Sequence, residues 1–329
     1  MQLSYITVTY NSSRDIFDLL MSLKQILKQN DEVIIVDNAS IDGTLEIVEK
    51  FRKMLTYGAQ LSVVKNLENI GYGKANNEGA RIAKGDFLIF INPDCYFNSQ
   101  NIQKWINSVF LKSTGLLAPL VRYPNGAVQP NQGGSASLLT YILQFFKLGA
   151  RLRKLNLVSQ LKRWPIIIKI LSMNSSVNGF LSNYNSDPIR SNVDWVSGAM
   201  IIIRKSLFES LNGFDSNFFL YCEDEDLCRR IRNLGLIILF DPGFEIIHKV
   251  EASKDYRYYS KGQLERFKSN IYYLYKWNGF FSAFVLNIFY LSSFIFRCLA
   301  SVFTLNIEKL KANLKYFFGL MFFEFRKKI

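Results

Sequence analysis

Histidine and cysteine are scarce in this chain of 329 residues, in which His248 is the single histidine. The four cysteines, Cys95, Cys222, Cys228 and Cys298, include no CxxC pair. This scarcity is evidence against a structural zinc site and against a disulfide framework, and it favours a reducing compartment.

Acidic residues are also in deficit, since 27 acidic residues stand against 40 basic ones and the formal net charge is +13. Such a charge suits an anionic partner, whether nucleic acid, an anionic membrane surface or a phosphate-bearing substrate, and does not choose among them. A hydrophobic fraction of 49% is enough for a large core. The N-terminal MQLSYITVTYNS has no basic leader and is typical of a first strand, so we expect a cytosolic or cytosol-facing protein.

Two nucleotide-binding fingerprints are missing from the sequence. It contains neither GxGxxG nor GxxxxGK[ST], which is evidence against a dinucleotide-dependent dehydrogenase and against a P-loop NTPase. The nearest segment, NIGYGKANN from Asn69 to Asn77, places glycines before a predicted helix. A helix N-terminus of this kind can receive phosphate groups, although the segment alone is a weak signal.

The first 91 residues alternate short β-rich runs with helical patterns, which predicts an α/β fold with a parallel sheet. The predicted strands are Leu3–Thr9, Glu32–Val36, Leu61–Val64 and Asp86–Ile91, and the predicted helices are Ile16–Leu27, Gly43–Lys53 and Gly73–Ala83. Further on, a strand-like run at 193–204, a helix at 223–233 and a strand at 236–248 complete the predicted core. Because open α/β sheets bind ligands at the carboxyl ends of their strands, the polar strand ends are the candidate site.

Two of these strand ends carry an aspartate. Asp37 follows a buried run and is able to accept hydrogen bonds from a nucleotide base or ribose, with a plain turn residue as the alternative. Asp94 follows FLIFINP, and a carboxylate there is a suitable ligand for Mg²⁺ or Mn²⁺, again with a turn residue as the alternative. His248 lies at the end of an apolar strand, where a structural role competes with a metal or phosphate contact.

Four consecutive acids, Glu223 to Asp226, open the predicted helix at 223–233. The helix dipole and an Asp226–Arg230 pair four residues apart explain some of these carboxylates. The dipole and this ion pair do not explain why four acidic residues are present. An aspartate at this helix start is therefore a candidate general base for an acceptor hydroxyl.

The middle and the end of the chain differ from this core. Residues 126–192 mix glycines with basic and apolar residues, which indicates an insertion with amphipathic helices. Residues 280–303 are strongly apolar but contain Asn287 and Arg297, so a membrane crossing is not the favoured interpretation. Lys309, Lys311 and Lys315 then alternate with apolar residues, as in an interfacial helix, and the alternative is a packed helical subdomain with a solvated basic face.

Read together, these segments resemble the family 2 glycosyltransferases, in particular their rhamnosyltransferase-like branch. The resemblance covers about residues 3–278 and rests on ITVTYNS, VDNASIDGT, NIGYGKANNEG, FINPD, WVSGAM, GFDSNFFLYCEDEDLCRRIRNLG and the late His248. It implies a GT-A fold over residues 1–250 with a mainly parallel sheet, while the apolar and basic composition of residues 251–329 predicts a helical membrane-associating region. It also implies a nucleoside-diphosphate sugar donor, Mg²⁺ or Mn²⁺ as cofactor, and inversion at the anomeric carbon.

Matching the motifs position by position assigns roles to individual residues. Asp224 corresponds to the catalytic base, supported by Glu223, while Asp94 and His248 correspond to the metal site. The resemblance would have an acid where this chain has Asn92, which weakens the expected metal affinity. The residues assigned to the donor are Thr9, Tyr10, Asn11, Asp37, Asn38, Asn69, Gly71, Asn77 and Arg230, and those assigned to the acceptor are Trp195, Gly198 and Asp226.

The resulting expectation is an inverting transferase at the cytoplasmic side of the cell membrane, bound peripherally, with no nucleic-acid partner. Its first expected donor is dTDP-L-rhamnose and its acceptor is a lipid-linked or cell-surface glycan. Galactofuranosyl or N-acetylhexosaminyl transfer on the same fold, and a membrane-associated scaffold that binds nucleotide sugars without turnover, are the alternatives. A nucleotidyltransferase would carry a glycine-rich, lysine-bearing N-terminal loop, which this sequence lacks.

Overall fold

The computed structural model describes residues 1–55, 60–97, 101–145, 188–249 and 261–323. These residues form two compact units that interleave along the chain. Unit 1 lies within residues 1–133, 188–216 and 223–249, and unit 2 lies within 134–145, 217–222 and 261–323. Most of the predicted insertion, residues 146–187, lies outside the described residues, and the sequence-based division at residue 250 stays a prediction.

Unit 1 is built on a nine-stranded sheet with four helices from its first 110 residues and two later ones. The strands are β1 Leu3–Thr9, β2 Glu32–Asp37, β3 Gln60–Lys65, β4 Phe87–Ile91, β5 Cys95–Phe97, β6 Thr114–Arg122, β7 Gln132–Gly133, β8 Ser191–Val193, β9 Trp195–Val196, β10 Met200–Arg204 and β11 Ile237–His248. The helices are α1 Ile16–Ile26, α2 Thr44–Arg52, α3 Tyr72–Ile82, α4 Ile102–Val109, α6 Lys205–Ser210 and α7 Glu223–Asn233. The strands of the large sheet lie in the order β3-β2-β1-β4-β10-β6-β11-β5, and β8 pairs with β11 beside this path. A separate two-stranded sheet consists of β7 and β9.

The predicted α/β fold is confirmed, and its parallel character is concentrated in the first four strands. The neighbours β3, β2, β1 and β4 are all parallel, and so is the β6–β11 pair. In contrast, β10 runs antiparallel between β4 and β6, and β5 and β8 run antiparallel to β11. The second half of the sheet is therefore mixed.

Both faces of the sheet are buried, which explains why its strands are apolar at consecutive positions. Side chains alternate between the two faces along a strand. On β1, Tyr5 belongs to one core and Ile6 to the other, and on β4 the same holds for Ile89 and Phe90. Helices α1, α2 and α4 cover the first face, while α3, α6 and α7 cover the second.

Unit 2 is helical in its described part, with its own apolar core. Its helices are α5 Leu138–Phe145, α8 Lys261–Phe303 and α9 Ile307–Met321. Gly279, at φ 82° and ψ 172°, breaks α8 into two helical segments. The buried residues Tyr273, Tyr290 and Tyr316 come one from each segment of α8 and one from α9, and they belong to this core.

Candidate active site

The carboxyl ends of β1 and β2 meet in register, with Thr9 opposite Asp37. Asp37 is buried, and its carboxylate accepts hydrogen bonds from the Thr9 hydroxyl at 2.7 Å and from the Ser40 hydroxyl and amide at 2.6 and 2.9 Å. Tyr10 follows directly and exposes 52% of its surface. This edge of the sheet therefore presents an oriented carboxylate on β2, paired with Thr9 of β1, and an accessible aromatic residue that directly follows Thr9.

Asparagine side chains hold the loops around this edge. Asn11 adopts φ 51°, and its side-chain oxygen accepts the Ile41 amide at 2.9 Å. The Asn38 amide group donates to the Asn69 side chain at 3.3 Å and to the Gly71 carbonyl at 3.2 Å. The donor residues predicted on three separate segments are thus joined by hydrogen bonds.

The glycines of the NIGYGKANN segment have structural roles in addition to any role in ligand binding. Gly71 precedes α3 at φ 92°, a backbone conformation that favours glycine. A Cβ at Gly73 would lie 3.1 Å from the Phe214 Cβ and 3.5 Å from the Glu223 Cβ, so the missing side chain lets α3 approach the start of α7. Asn77, assigned to the donor, binds the Phe214 carbonyl and amide at 2.8 Å each, which gives its side chain a structural role.

Asp94 and His248 are brought together by strand pairing. In the antiparallel β5–β11 ladder, His248 lies opposite Cys95, and the Asp94 carbonyl accepts the Lys249 amide at 2.9 Å. The His248 Nε2 and an Asp94 carboxylate oxygen are 3.1 Å apart. One ligand atom each from Asp94, Cys95 and His248 lies within 4.8 Å of the others.

The Cys95 thiol does not match this donor set. Burial, together with the neighbouring Asp94, raises the pKa of the Cys95 thiol well above its usual value. The thiol donates to the Ala199 carbonyl at 3.5 Å. A metal ligand must be the thiolate, so a carboxylate and an imidazole are the groups here that fit a divalent cation such as Mn²⁺.

Gln129 is a site residue that the sequence analysis missed. Its side-chain nitrogen lies 3.1 Å from His248 Nδ1, and its side-chain oxygen is buried with no hydrogen-bond partner in the described structure. In this orientation the amide donates to Nδ1, so Nε2 carries the proton and faces Asp94. The reversed amide would accept from Nδ1–H and leave the Nε2 lone pair for a cation. No local pattern marks Gln129, because it follows β6 in an irregular segment.

The Glu223–Asp224 pair opens α7 and is strongly desolvated. Burial and the neighbouring Asp224 raise the pKa of Glu223 well above its usual value, so we assign Glu223 as the protonated member. Burial also raises the pKa of Asp224, opposed by backbone amides of Gly198 and Glu225 that each donate to it at 2.8 Å. Asp224 is thus the member held as a carboxylate.

The backbone at Gly198 and Ala199 links Asp224 to the strand end that carries Asp94. The Gly198 amide donates to Asp224, and the Gly198 carbonyl accepts the Tyr72 hydroxyl at 3.1 Å. The next carbonyl, that of Ala199, accepts the Asn92 amide at 3.0 Å. The two acidic segments, whose residues Asp94 and Asp224 lie 130 positions apart in the sequence, therefore share one short stretch of backbone.

Arg230 and Asp226 form the predicted pair four residues apart. The Arg230 Nε donates to Asp226 at 2.8 Å, and an Arg230 terminal nitrogen donates to the Leu211 carbonyl at 2.8 Å. Asp226 has 0% exposed surface. Arg230 and Asp226 therefore form a structural pair, and their roles at the donor and at the acceptor stay predictions.

Trp195, the third residue assigned to the acceptor with Gly198 and Asp226, lies in β9 opposite Gly133 of β7. Its ring lies over this glycine, since a Cβ at Gly133 would be 3.6 Å from a ring carbon. The ring is partly buried. This position leaves part of an indole at the surface of the short β7–β9 sheet.

Replacing Glu223 by glutamine should stabilise the protein near neutral pH. The folded-state pKa of Glu223 is raised above the unfolded value of about 4.3, so wild-type stability is full below that value and is lost as pH rises toward the folded pKa. Glu223→Gln cannot titrate and should have the higher Tm at neutral pH, with the difference disappearing below about pH 4. Thermal unfolding across a pH series measures this, and equal Tm values at every pH would contradict it.

The sequence is similar to those of known glycosyltransferases. The model of the family described as "Glycosyl transferase family 2" matches residues 4–160. Rhamnosyltransferase WbbL of Escherichia coli (strain K12) is 30% identical over 212 residues, which are 62% of this chain and 70% of the relative. The N-acetylglucosaminyl-diphospho-decaprenol L-rhamnosyltransferase of Mycobacterium tuberculosis (strain ATCC 25618 / H37Rv) is 26% identical over 264 residues, 75% of each chain.

Solved structures agree in fold. A mannosyltransferase from Pyrobaculum calidifontis in complex with GDP-Man and Mn²⁺ matches with a TM-score of 0.53 and 15% identity over 97% of this chain and 85% of that one. The Staphylococcus aureus TarS 1-349 structure matches with a TM-score of 0.51 and 20% identity over 83% of this chain, which spans 64% of that structure. The predicted GT-A fold is thereby confirmed, and with the WbbL match, the chain belongs to the family 2 glycosyltransferases.

Proposed function

We propose that this chain transfers a sugar with inversion from a nucleoside-diphosphate donor to an acceptor hydroxyl, with Asp224 as the general base. The observation that carries the proposal is the Gly198–Ala199 backbone, which holds the Asp224 carboxylate at 2.8 Å and the Asn92 amide at 3.0 Å. The candidate base Asp224 and the segment of the candidate cation site are thus held by the same two residues of backbone.

The nucleotide is proposed to bind at the carboxyl edge of β1 and β2. Asp37, oriented by Thr9 and Ser40, is suited to accept from a ribose hydroxyl or a base N–H. Tyr10 offers an exposed ring for stacking. Asn11, Asn38, Asn69 and Gly71 shape the surrounding loops through the hydrogen bonds described above.

Asp94 and His248 are proposed to hold Mg²⁺ or Mn²⁺. Asp94 would supply a carboxylate oxygen and His248 an imidazole nitrogen, and the cation would supply positive charge for the diphosphate oxygens. When bound, the cation would neutralise charge on the departing diphosphate. The presence of Asn92 beside this site removes one potential carboxylate ligand.

Asp224 is proposed to take the proton from the acceptor hydroxyl as that oxygen attacks the anomeric carbon. Two backbone amides fix its orientation, and burial raises its pKa, which increases its affinity for the proton. A single displacement from the face opposite the diphosphate inverts the anomeric configuration. Protonated Glu223 adds no second negative charge next to the base, and Trp195 and Gly198 are proposed to border the acceptor.

L-rhamnose from dTDP-L-rhamnose is the first proposed donor, because two relatives are named as rhamnosyltransferases. The name of one of them describes a diphospho-decaprenol acceptor, which supports a lipid-linked acceptor here. Galactofuranosyl and N-acetylhexosaminyl transfer stay as alternatives, the latter favoured by a similar N-acetylglucosaminyltransferase, TarS of Staphylococcus aureus (strain Mu50 / ATCC 700699), 38% identical over 107 residues. A nucleotide-sugar-binding scaffold without turnover is the non-catalytic alternative.

Unit 2 is proposed to attach the protein peripherally to the cytoplasmic side of the membrane. In the described residues, one helix, Gly262–Phe303, is long and apolar enough to cross a membrane by length and composition. Its second segment leaves Phe281 76% and Phe303 86% exposed, and exposed lysines follow on α9. Aromatic side chains next to cations suit the interface of an anionic bilayer.

Asp224→Asn should abolish transfer while nucleotide-sugar binding is retained, because general base catalysis contributes roughly 10²- to 10⁴-fold. Asp94→Ala should weaken metal-dependent donor binding itself. A panel of nucleotide sugars with Mg²⁺ or Mn²⁺, read as thermal stabilisation and as sugar transfer, separates the two effects. Asp86→Asn, whose side chain is 66% exposed at the other end of the sheet, is the matched control.

The raised pKa of Asp224 also predicts the pH profile of this reaction. As pH falls, kcat/KM should begin to decline above the usual carboxylate range of about 4. Full activity of both Asp94→Ala and Asp224→Asn would refute the proposed mechanism, and a panel in which no nucleotide stabilises the protein would refute donor binding.

Gln129 should control the cation affinity of the Asp94–His248 site. Gln129→Glu can only accept from Nδ1–H, so it should retain or strengthen Mn²⁺ binding, whereas Gln129→Leu should weaken it by roughly 10- to 100-fold. Titration calorimetry with Mn²⁺ and no substrate measures the affinity, and Gln132→Leu on β7 is the control. Wild-type Mn²⁺ affinity in Gln129→Leu would show that this contact is irrelevant to the cation.

Membrane attachment predicts separable electrostatic and apolar contributions. Replacing Lys309, Lys311 and Lys315 with glutamine should weaken binding to anionic vesicles roughly fivefold per lysine, with little effect on neutral vesicles. Phe281→Ser with Phe303→Ser should weaken binding to both. Vesicle flotation measures each case, with Phe17→Ser, an exposed phenylalanine of unit 1, as control. Unchanged flotation of both sets would rule out attachment through unit 2.

A further inference from the structure

Tyr72, the first residue of α3, contacts the backbone that supports Asp224. Its hydroxyl donates to the Gly198 carbonyl at 3.1 Å, while the Gly198 amide donates to Asp224 Oδ2 at 2.8 Å. A Cβ on Gly198 would lie 3.6 Å from the Tyr72 hydroxyl oxygen and 3.6 Å from Asp224 Oδ2. The two side chains therefore bind the same glycine, one at its carbonyl and the other at its amide.

The two carboxylate oxygens of Asp224 are held in different ways. The Glu225 amide donates to Oδ1 from the next residue of α7, so the helix itself fixes that contact. The Gly198 amide donates to Oδ2 from the segment between β9 and β10. Because glycine has more backbone freedom than any other residue, the direction of this amide depends on the groups that bind the glycine. The Tyr72 hydroxyl is the side-chain group that binds its carbonyl.

The Gly198 amide has the largest effect among the hydrogen bonds that oppose burial at Asp224. Burial raises the pKa of Asp224, and the amides of Gly198 and Glu225 and the indole N–H of Trp195 lower it, with Gly198 first. The Trp195 nitrogen is close enough to have this effect, but it makes no hydrogen bond of full geometry in the described structure. The protonation of Asp224 is therefore most sensitive to the direction of the Gly198 amide.

Titratable groups of several elements lie around Asp224 and Tyr72, namely Glu223, Glu225, Asp226 and Cys228 of α7, Cys95 of β5, and Asp194, which precedes β9. Asp226 and Asp194 are ion-paired with Arg230 and Arg232. Glu223 is protonated, and burial raises the pKa of both thiols, so these three groups add no charge near neutral pH. Burial and the carboxyl groups of Glu223 and Asp224 also raise the pKa of Tyr72, so its hydroxyl keeps the proton that it donates.

We propose that Tyr72 is a positioning residue for the general base: by binding the Gly198 carbonyl, its hydroxyl directs the Gly198 amide at Asp224 and keeps that side chain in its ionised, basic form. The inference rests on the proposed function, because it adds a residue to the assignment of Asp224 as the base. Tyr72 acts through Gly198 and needs no contact with the donor or the acceptor.

Tyr72→Phe removes the hydroxyl and keeps the ring that packs against Phe214, 6.3 Å between ring centres. The Gly198 amide then binds Asp224 less well, so the pKa of Asp224 rises further and the acid limb of kcat/KM moves to higher pH. Below this limb, kcat/KM should fall roughly two- to tenfold, the effect of one weakened hydrogen bond, and above it the variant should approach the wild-type value. Sugar transfer across a pH series measures this, since a residue that only packs would lower kcat/KM equally at every pH.

A second measurement needs no sugar transfer. The folded-state pKa of Asp224 lies above its unfolded value of about 3.9, so its contribution to stability is full below that value and is lost as pH rises through the folded pKa. Because Tyr72→Phe raises the folded pKa further, its cost in unfolding free energy should grow as pH rises above about 4. In the Asp224→Asn background that cost should be the same at every pH, because the titrating group is gone. Denaturant unfolding of the two single variants, the double variant and the wild type across a pH series measures this coupling.

Tyr5→Phe is the matched control. It removes another buried tyrosine hydroxyl, one that has no hydrogen-bond partner in the described structure. This variant should keep the wild-type acid limb, and its stability relative to the wild type should not change with pH. Nucleotide-induced thermal stabilisation with Mn²⁺ should be retained in both Tyr5→Phe and Tyr72→Phe, which shows that the donor site is intact.

The two measurements separate the role of Tyr72 from the proposed function. An unshifted acid limb in Tyr72→Phe would overturn the proposal and leave the proposed function standing. A pH-dependent stability cost that persists in the Asp224→Asn background would also overturn it, because the effect would then belong to Glu223. If the cost depends on Asp224 as expected but no sugar is transferred, the role of Tyr72 stands and the proposed function fails.

Discussion

The hydrogen bond from the Gly198 amide to Asp224 is the interaction on which the arrangement of the two acidic segments of unit 1, those of Asp94 and Asp224, depends. At 2.8 Å it stabilises a carboxylate that burial alone would protonate more readily. The same stretch of backbone, through the Ala199 carbonyl, accepts the Asn92 amide and the Cys95 thiol. Because it leads directly into β10, whose antiparallel ladder with β4 sets its position, the sheet fixes both acidic segments together.

The Glu223–Asp224 pair shows how the fold separates two chemically similar groups. Both are desolvated, but backbone amides donate to Asp224, whereas one buried oxygen of Glu223 has no partner in the described structure. Ionising two adjacent carboxyl groups in a buried environment has a high free-energy cost. The group that accepts more hydrogen bonds is the one that ionises. The buried, protonated Glu223 therefore lowers stability at neutral pH relative to an uncharged residue, a cost often accepted at functional sites.

Local sequence patterns predicted a large part of unit 1. Alternating burial on both sheet faces made β1 to β4 recognisable, and the parallel order then placed Thr9 and Asp37 together. The Asp226–Arg230 pair followed from helical spacing. What could not be predicted depends on long-range pairing: the antiparallel entry of β10, the packing role of Gly73 against α7, and the contact between Gln129 and His248. The proximity of Asp94 and His248 was expected only from family resemblance.

The composition of the proposed cation site explains why the residues around it matter. Arg230 is paired with Asp226, and Asn92 leaves Asp94 as the one carboxylate of the FINPD segment. At the proposed site, cation affinity would then depend heavily on His248, and His248 could offer Nε2 only with its proton on Nδ1. An acceptor at the Gln129 position favours that tautomer, whereas a donor there opposes it. In the proposed site, which offers few direct ligands, the one amide that contacts His248 would therefore have a large influence on cation affinity.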